Sequence, residues 1–277
     1  MTYYSETIKR PVSRPSSRKK AAKIRRRKVL KRLKGVLLFD IVLLLTLLAV
    51  FQLKDSGFFA DMRFTMDMDR LERDGVPEEL INLYRKNPDT RDFVLGYKKN
   101  YGHHNDIDIS SAASSEGIPL FLQWDKRWGY ETYGSNMMAL TGCGPTCLSM
   151  VYTGLTGNSD MNPYAMAQKA ESEGYYVWGS GSSWDMMNTL ASEIGLTVHN
   201  VSYDEDSILE FLKEGTPIIC IVGQGDFTES GHFIVLTGVD KDGLITVNDP
   251  NSRVNSKKHW DLSDIMPQIL NLWGYSC

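Results

Sequence analysis

Residues 35–53 are almost wholly apolar, and segments of this composition are rare in water-soluble domains. Asp40 is the only charged residue among them, and it lies about one turn inside the basic end, where the membrane interface is within reach. At a rise of about 1.5 Å per residue, a helix of this length nearly matches a hydrocarbon core of about 30 Å. We therefore expect a single transmembrane helix here, with a lipid bilayer as its partner.

Charge is divided unevenly on the two sides of this stretch. Residues 1–34 contain fourteen of the 31 Lys and Arg and one acid, Glu6, whereas the rest of the chain has 33 acids and 17 bases. The basic run at residues 25–28 is also typical of arms that bind nucleic acid, but the apolar stretch after it favours a membrane and no nucleic-acid partner. By the positive-inside rule, residues 1–34 form a cytoplasmic tail and the residues after 53 are extracellular.

A cleaved signal peptide is the alternative to an anchor. The apolar stretch exceeds the roughly 7–15 residues of a signal core, and no small-residue cleavage site follows it. We therefore expect an uncleaved signal anchor in the cell membrane.

Residues 54–117 are expected to connect the anchor to the main domain as a juxtamembrane helical segment and a linker. Residues 77–84 predict a short helix with a proline in its first turn, and a turn and a short apolar patch follow. Together, residues 77–95 are expected to pack on the main domain as an N-terminal brace. Residues 102–117 are polar and poor in large apolar side chains, which indicates a linker.

Residue types that often bind metals do not form a recognisable site. The pair His103-His104 lies in the linker, and adjacent side chains diverge on a regular element, so we expect a solvated loop there. The spacing of the cysteines resembles neither a disulfide framework nor a zinc site. These cysteines are Cys143, Cys147, Cys220 and Cys277.

Residues 118–277 are expected to form one domain of the α+β class, because a helix-rich part is followed by strands of an antiparallel sheet. The predicted helices are 144–155, 163–173, 184–194 and 207–213. The predicted strands, separated by Gly, Asp and Pro, are 197–201, 217–222, 232–239 and 244–247.

The most informative segment is Thr141-Gly142-Cys143-Gly144-Pro145-Thr146, where small residues lead into an apolar run of helical period. A Cys at a helix N-terminus is close to the positive end of the helix dipole and to unpaired N–H groups, which favour the thiolate. We predict that Cys143 is a nucleophile and that Cys147, one turn further along, belongs to the core.

A lone cysteine is usually a small core residue, so the prediction depends on a partner base. His232 opens a predicted strand, where its imidazole can face a cleft and accept the thiol proton. The chain then turns at Asp240-Lys241-Asp242-Gly243 and returns to Asn248-Asp249, which predicts a β-hairpin with a carboxylate at its far end.

The side chain that orients His232 depends on the loop of this hairpin. With a two-residue loop, Asp249 is a diagonal neighbour of His232 on the same face. With a three-residue loop in which Gly243 forms a bulge, the register moves by one residue and Asn248 shares that face. The sequence leaves both alternatives open.

Gln123 ends a short apolar run before the nucleophile. Its amide N–H₂ and the backbone N–H of Cys143 are donors of the kind that stabilise an oxyanion. Neither Gln123 nor Asp249 is informative alone, but the order Gln, Cys, His, Asp along the chain indicates a hydrolytic site.

Four segments together resemble the stand-alone relatives of the double-glycine leader peptidases found in bacteriocin exporters. They are Gln123-Trp124-Asp125, the Gly-Cys-Gly-Pro-Thr motif, Gly231-His232 and Asn248-Asp249-Pro250. The resemblance begins at about residue 118. It implies a papain-like cysteine peptidase fold, with Gln123 in the oxyanion hole, Cys143 as nucleophile, His232 as base and Asp249 as the orienting acid.

The resemblance does not imply a particular substrate, because the gap between Gln123 and Cys143 is longer than in the exporter-linked enzymes. We expect a membrane-anchored extracytoplasmic cysteine peptidase that hydrolyses a peptide or protein substrate without a metal or an organic cofactor. Two alternatives stay open: a cell-wall amidase or endopeptidase that cuts peptidoglycan stem peptides, and a catalytically inactive surface module that binds a partner.

Overall fold

A computed structural model describes residues 17–55, 57–104 and 106–277. It divides into two compact units, of which the first ends at Asp67 and the second is Met68–Cys277. Residues 1–16 of the predicted basic tail lie outside the described residues.

The first unit contains one long helix, α1 (Ser17–Asp55), which continues without a break from basic into apolar residues. A second helix, α2 (Phe58–Arg73), crosses the boundary into the second unit. Within the part of the chain that the structure describes, no helix is found with the length and apolar character needed to cross a membrane. The predicted span 35–53 lies within α1, and its side chains at positions 49, 52 and 53 are outside the description.

In the second unit, the N-terminal brace follows the end of α2. Its helices are α3 (Glu78–Lys86) and α4 (Arg91–Val94), joined by a 3₁₀ turn at Pro88–Thr90, and α5 (Tyr97–Asn100) follows. Helix α3 starts directly after Pro77 and has two acids in its first turn, which suits the helix dipole. The predicted short helix is therefore confirmed.

The brace packs on the main domain through a hydrophobic cluster of its own, as the sequence predicts. The brace contributes Leu80, Ile81, Tyr84, Phe93 and Val94, and the main domain contributes Leu122, Trp124, Tyr130, Met137 and Ala139. Because all of these side chains are buried, the brace is an integral part of the second unit.

The segment predicted as a linker also contributes to the core. Ile109 is 1% exposed and packs in the main hydrophobic cluster, and a short helix, α6 (Ser110–Ala113), follows it. One apolar side chain is enough to pack a polar segment against the core. The polar composition of residues 102–117 therefore led to the wrong expectation of a linker. His104 Nδ1 lies 2.8 Å from Glu131 Oε1, and no group of three metal-ligating side chains is present among the described residues.

The helical half of the main domain is built around a buried helix. Its helices are α7 (Met138–Thr141), α8 (Cys143–Thr156), α9 (Pro163–Ser172) and α10 (Thr189–Glu193). Helix α8 is buried from Gly144 to Thr153 because it lies between α9 and the sheet. The predicted helix 184–194 is divided, since a 3₁₀ turn at Trp184–Met187 precedes α10.

Two short antiparallel ribbons accompany these helices. One is formed by β1 (Thr132–Tyr133) and β2 (Asn136–Met137), and the other by β3 (Tyr176–Val177) and β4 (Gly181–Ser182). The sequence analysis does not predict either ribbon, because strands of two residues leave no periodic signal.

The main sheet has five antiparallel strands. Their order is β5 (Thr197–Asn200), β9 (Ile269–Ser276), β6 (Ile218–Val222), β7 (His232–Val239) and β8 (Ile245–Asn248). Four of these strands match the predicted ones, whereas the inner strand β9 was missed. Residues 272–275 of β9 are buried without alternation, so the period of two that marks a half-exposed strand is absent.

Three further helices complete the sheet half: α11 (Glu205–Lys213), α12 (Arg253–Lys257) and α13 (Leu262–Ile265), the last followed by a 3₁₀ turn at Met266–Gln268. Alternate side chains of β6 and β7 enter two clusters, one shared with α8 and the other with α11. The sheet is therefore covered on both faces, which explains why β6 is buried at all five positions. This mixed arrangement fits the α+β papain-like fold.

Candidate active site

Cys143 is the first residue of α8. The chain passes closely against β4 at this point. A Cβ added at Gly144 would lie only 2.6 Å from Ser182 Oγ. Glycine at position 144 therefore lets the start of α8 approach its neighbour. The thiol lies at the positive end of the helix dipole, and the residue is half-buried.

The imidazole of His232 reaches this thiol from the sheet. His232 is the first residue of β7, is 6% exposed, and lies within hydrogen-bonding reach of Cys143. Burial by itself would raise the pKa of the Cys143 thiol. The hydrogen bond and charge of His232, together with the backbone N–H groups of Phe233 and Gly144, outweigh burial and lower this pKa.

The other ring nitrogen of His232 contacts a carboxylate. Nε2 lies 2.8 Å from Asp249 Oδ1, which leaves Nδ1 for the contact with Cys143. Burial would lower the pKa of His232, but the charge and hydrogen bond of Asp249, reinforced by Cys143, raise it to about 10. The lowered thiol pKa and the raised imidazole pKa both favour the thiolate and imidazolium forms of the pair.

The loop between β7 and β8 has three residues. The Asp240 N–H donates to Leu244 O at 2.8 Å, and Gly243 adopts a left-handed φ of 85°, which is typical of a turn closed by a bulge. This loop is the second of the two alternatives left open by the sequence. On its own it would bring Asn248 to the face of His232.

A second irregularity reverses that outcome. A β-bulge at Thr237 in β7 adds one more unpaired residue and restores the register that a two-residue loop would give. Asp249 therefore lies on the same face as His232. Asn248 points away, and its Nδ2 donates to Ile118 O at 2.9 Å.

Two further donors hold the buried Asp249 carboxylate. The Asn251 backbone N–H donates to Oδ1 at 2.8 Å, and Asn255 Nδ2 donates to Oδ2 at 2.8 Å. Such hydrogen bonds offset the cost of burying a polar side chain. Asn255 was missed by the sequence analysis, although Ser252, the N-cap of α12, is a recognisable helix-start signal three residues before it.

Gln123 is hydrogen-bonded to residues near Asp249 and near Cys143. Its backbone N–H donates to Pro250 O at 2.8 Å, and its Nε2 donates to Ala139 O at 2.8 Å. Pro250 follows Asp249, and Ala139 is four residues before Cys143, so Gln123 ties the two halves of the site together. Its buried Oε1 has no hydrogen-bond partner among the described residues. A place for Gln123 in an oxyanion hole stays a prediction.

The other cysteines differ from Cys143 in environment. Cys147 and Cys220 are fully buried, and burial raises the pKa of both thiols, with the charges of Cys143 and Asp249 adding to this effect at Cys147. Cys277 is exposed, and all four cysteines are free in the described part of the chain. Cys143 is therefore distinguished by a lowered thiol pKa.

The family comparison agrees with this geometry. The sequence pattern of the Peptidase_C39 like family matches residues 115–276, which is more than half of the chain and includes all the predicted site residues. No curated protein was matched by the sequence. The match and the α+β fold support a cysteine-type peptidase. The chain belongs to the Peptidase_C39 like family.

Proposed function

We propose that this protein hydrolyses peptide bonds, with Cys143 as nucleophile, His232 as acid and base, and Asp249 as the orienting carboxylate. The observation that carries the proposal is the continuous contact from the Cys143 thiol to His232 and from His232 Nε2 to Asp249 Oδ1, 2.8 Å away. A thiolate beside an imidazolium is the reactive form of a cysteine nucleophile. The substrate is a peptide or a protein.

In the first half of the reaction the Cys143 thiolate adds to the carbonyl carbon, and the carbonyl oxygen takes the negative charge. The backbone N–H of Cys143 and the Nε2 of Gln123 stabilise this oxyanion. The imidazolium of His232 gives its proton to the leaving amine, and a thioester remains. Neutral His232 then takes a proton from water, the hydroxide attacks the thioester, and the thiolate leaves.

The test is the full-length Cys143→Ala protein. We expect it to lose all hydrolysis of a peptide mixture and all iodoacetamide labelling at position 143. The matched control is Cys277→Ala, which removes an exposed thiol and should keep full turnover. Unchanged hydrolysis by Cys143→Ala would refute the proposal. Purified cell walls assayed in parallel would show whether peptidoglycan stem peptides are cut instead.

We also propose that the protein is held in the cell membrane by the apolar residues 35–53, of which positions 49, 52 and 53 are only partly described. The N-terminus would then lie in the cytoplasm and the peptidase unit outside. Thirteen large apolar side chains between Val36 and Phe51 are each 46–68% exposed. So much apolar surface is unusual on a protein in water, and the basic residues before it favour a cytoplasmic N-terminus.

Cell fractionation tests the location. The full-length protein should stay in the membrane pellet after washing with alkaline carbonate, and a protease added to intact cells should degrade the second unit. Release by high salt, or protection of the second unit from the protease, would contradict the proposed location.

A further inference from the structure

The N-terminal brace, residues 77–95, lies outside the residues that the family pattern matches, 115–276. It is nevertheless part of the compact unit that holds the site. One of its side chains, Asn87, contacts the loop that follows Asp249. This contact connects the brace to the carboxylate of Asp249 through one residue, Asn251.

Asn87 and Asp249 both form hydrogen bonds with the backbone of Asn251, Asn87 with its carbonyl and Asp249 with its N–H. Asn87 Nδ2 donates to the backbone oxygen of Asn251, which also accepts from Trp124 Nε1 at 2.9 Å. The backbone N–H of Asn251 donates to Asp249 Oδ1 at 2.8 Å, the oxygen that also contacts His232. The position of that N–H therefore depends on where the Asn251 carbonyl is held.

A second polar link between the brace and this region is weaker. Lys86 pairs with Glu229, but their side chains are 67% and 77% exposed, and exposed ion pairs contribute little to stability. Asn87 is partly buried, and its Oδ1 also accepts from the Asp89 N–H at 3.1 Å, so the amide is held from both ends. Asn87 is thus the residue through which the brace can fix the loop.

We propose that Asn87 is a positioning residue for the Asp249–His232 pair, so that the functional catalytic unit begins in the brace and not at the start of the family match. This inference rests on the proposed peptidase function. Loss of the Asn87 donor removes one of the two hydrogen bonds described for the Asn251 carbonyl. The N–H of Asn251 can then move away from Asp249, which leaves the imidazolium less well held.

Two variants of the full-length protein separate the effect of losing the Asn87 donor from the effect of adding a charge. Asn87→Asp keeps the oxygen that accepts from Asp89 but loses the donor, and Asn87→Ala loses the donor without adding charge. The control is Asn82→Asp, in the preceding helix α3, where the exposed side chain acts as an acceptor for Arg85, so the added charge is the same.

The measurement is the pH dependence of iodoacetamide labelling at Cys143, mapped by mass spectrometry, with exposed Cys277 as the internal reference. Both Asn87 variants should move the midpoint of Cys143 labelling upward by about half a pH unit, whereas Asn82→Asp should not move it. The rate of hydrolysis of the peptide mixture should fall about tenfold in both Asn87 variants.

Three outcomes would overturn the inference. The first is no shift of the labelling midpoint in either Asn87 variant, and the second is a shift in Asn87→Asp alone, which would be an effect of charge. The third is a lower melting temperature with an unchanged labelling midpoint, which would indicate a structural role. Failure of the proposed function is a separate result, because it would appear as hydrolysis that survives Cys143→Ala.

Discussion

In the proposed mechanism, the site reacts when Cys143 and His232 are both charged. The pKa of Cys143 is lowered from its ordinary value of 9.0, and that of His232 is raised to about 10. The thiolate and imidazolium therefore coexist between these two pKa values. We expect kcat/KM to rise with pH as Cys143 loses its proton, at a pH below 9.0, and to fall near pH 10 as His232 loses its own. A rising limb centred at pH 9.0 or above would contradict this.

Gln123 allows oxyanion stabilisation to be separated from thiol activation. In Gln123→Ala we expect kcat to fall about 10²- to 10³-fold, as for the loss of one oxyanion donor, with KM nearly unchanged. Alkylation of Cys143 by iodoacetamide should continue at the wild-type rate, because that reaction forms no oxyanion. Equal losses in both reactions would show that Gln123 supports the thiol and not the oxyanion.

At the scale of elements, the start of α8 lies close against β4. In Gly144→Ala the new Cβ would lie 2.6 Å from Ser182 Oγ and 2.9 Å from Ser182 Cβ, so we expect a loss of about 1–3 kcal/mol in stability. Thermal unfolding of Gly144→Ala and of Gly144→Ala with Ser182→Gly checks this. The second substitution removes both clashing atoms and should recover part of the melting temperature; no recovery would place the strain elsewhere.

Some helices and strands were predicted correctly from the sequence and others were not, for physical reasons. The bounds of β7 match those predicted from a run of apolar residues between glycines, and α8 was found from its small N-terminal residues and its apolar period. Strand β9 was missed because it is buried on both faces. The hairpin was left ambiguous because the bulge at Thr237 depends on pairing with β8, which one strand's sequence does not encode.

At the scale of the whole molecule, the brace and the peptidase domain are expected to unfold together. Phe93 is 1% exposed, its ring is stacked on Tyr130 with 4.2 Å between centroids, and the Tyr130 hydroxyl donates to Phe93 O at 2.6 Å. Phe93→Ala should lower the free energy of unfolding by about 3–5 kcal/mol. Urea unfolding should show one transition of the second unit at a lower midpoint.

The control for this variant is Leu270→Ala, since Leu270 is 59% exposed and should change stability by less than about 0.5 kcal/mol. An early, separate transition in Phe93→Ala, with the peptidase domain unfolding at its usual midpoint, would show that the brace is an independent element.

The sequence by itself determined the types of groups and their local preparation: a cysteine at a helix start, a histidine at the start of a strand, and a chain divided between basic, apolar and acidic segments. These features depend on neighbours within a few residues. Only the tertiary structure decided that Asp249 and not Asn248 meets His232, that Asn255 and Asn251 hold the carboxylate, and that the brace reaches the site through Asn87. Each of these contacts joins separate elements, and a shift of one residue in the register of a strand moves a side chain to the other face.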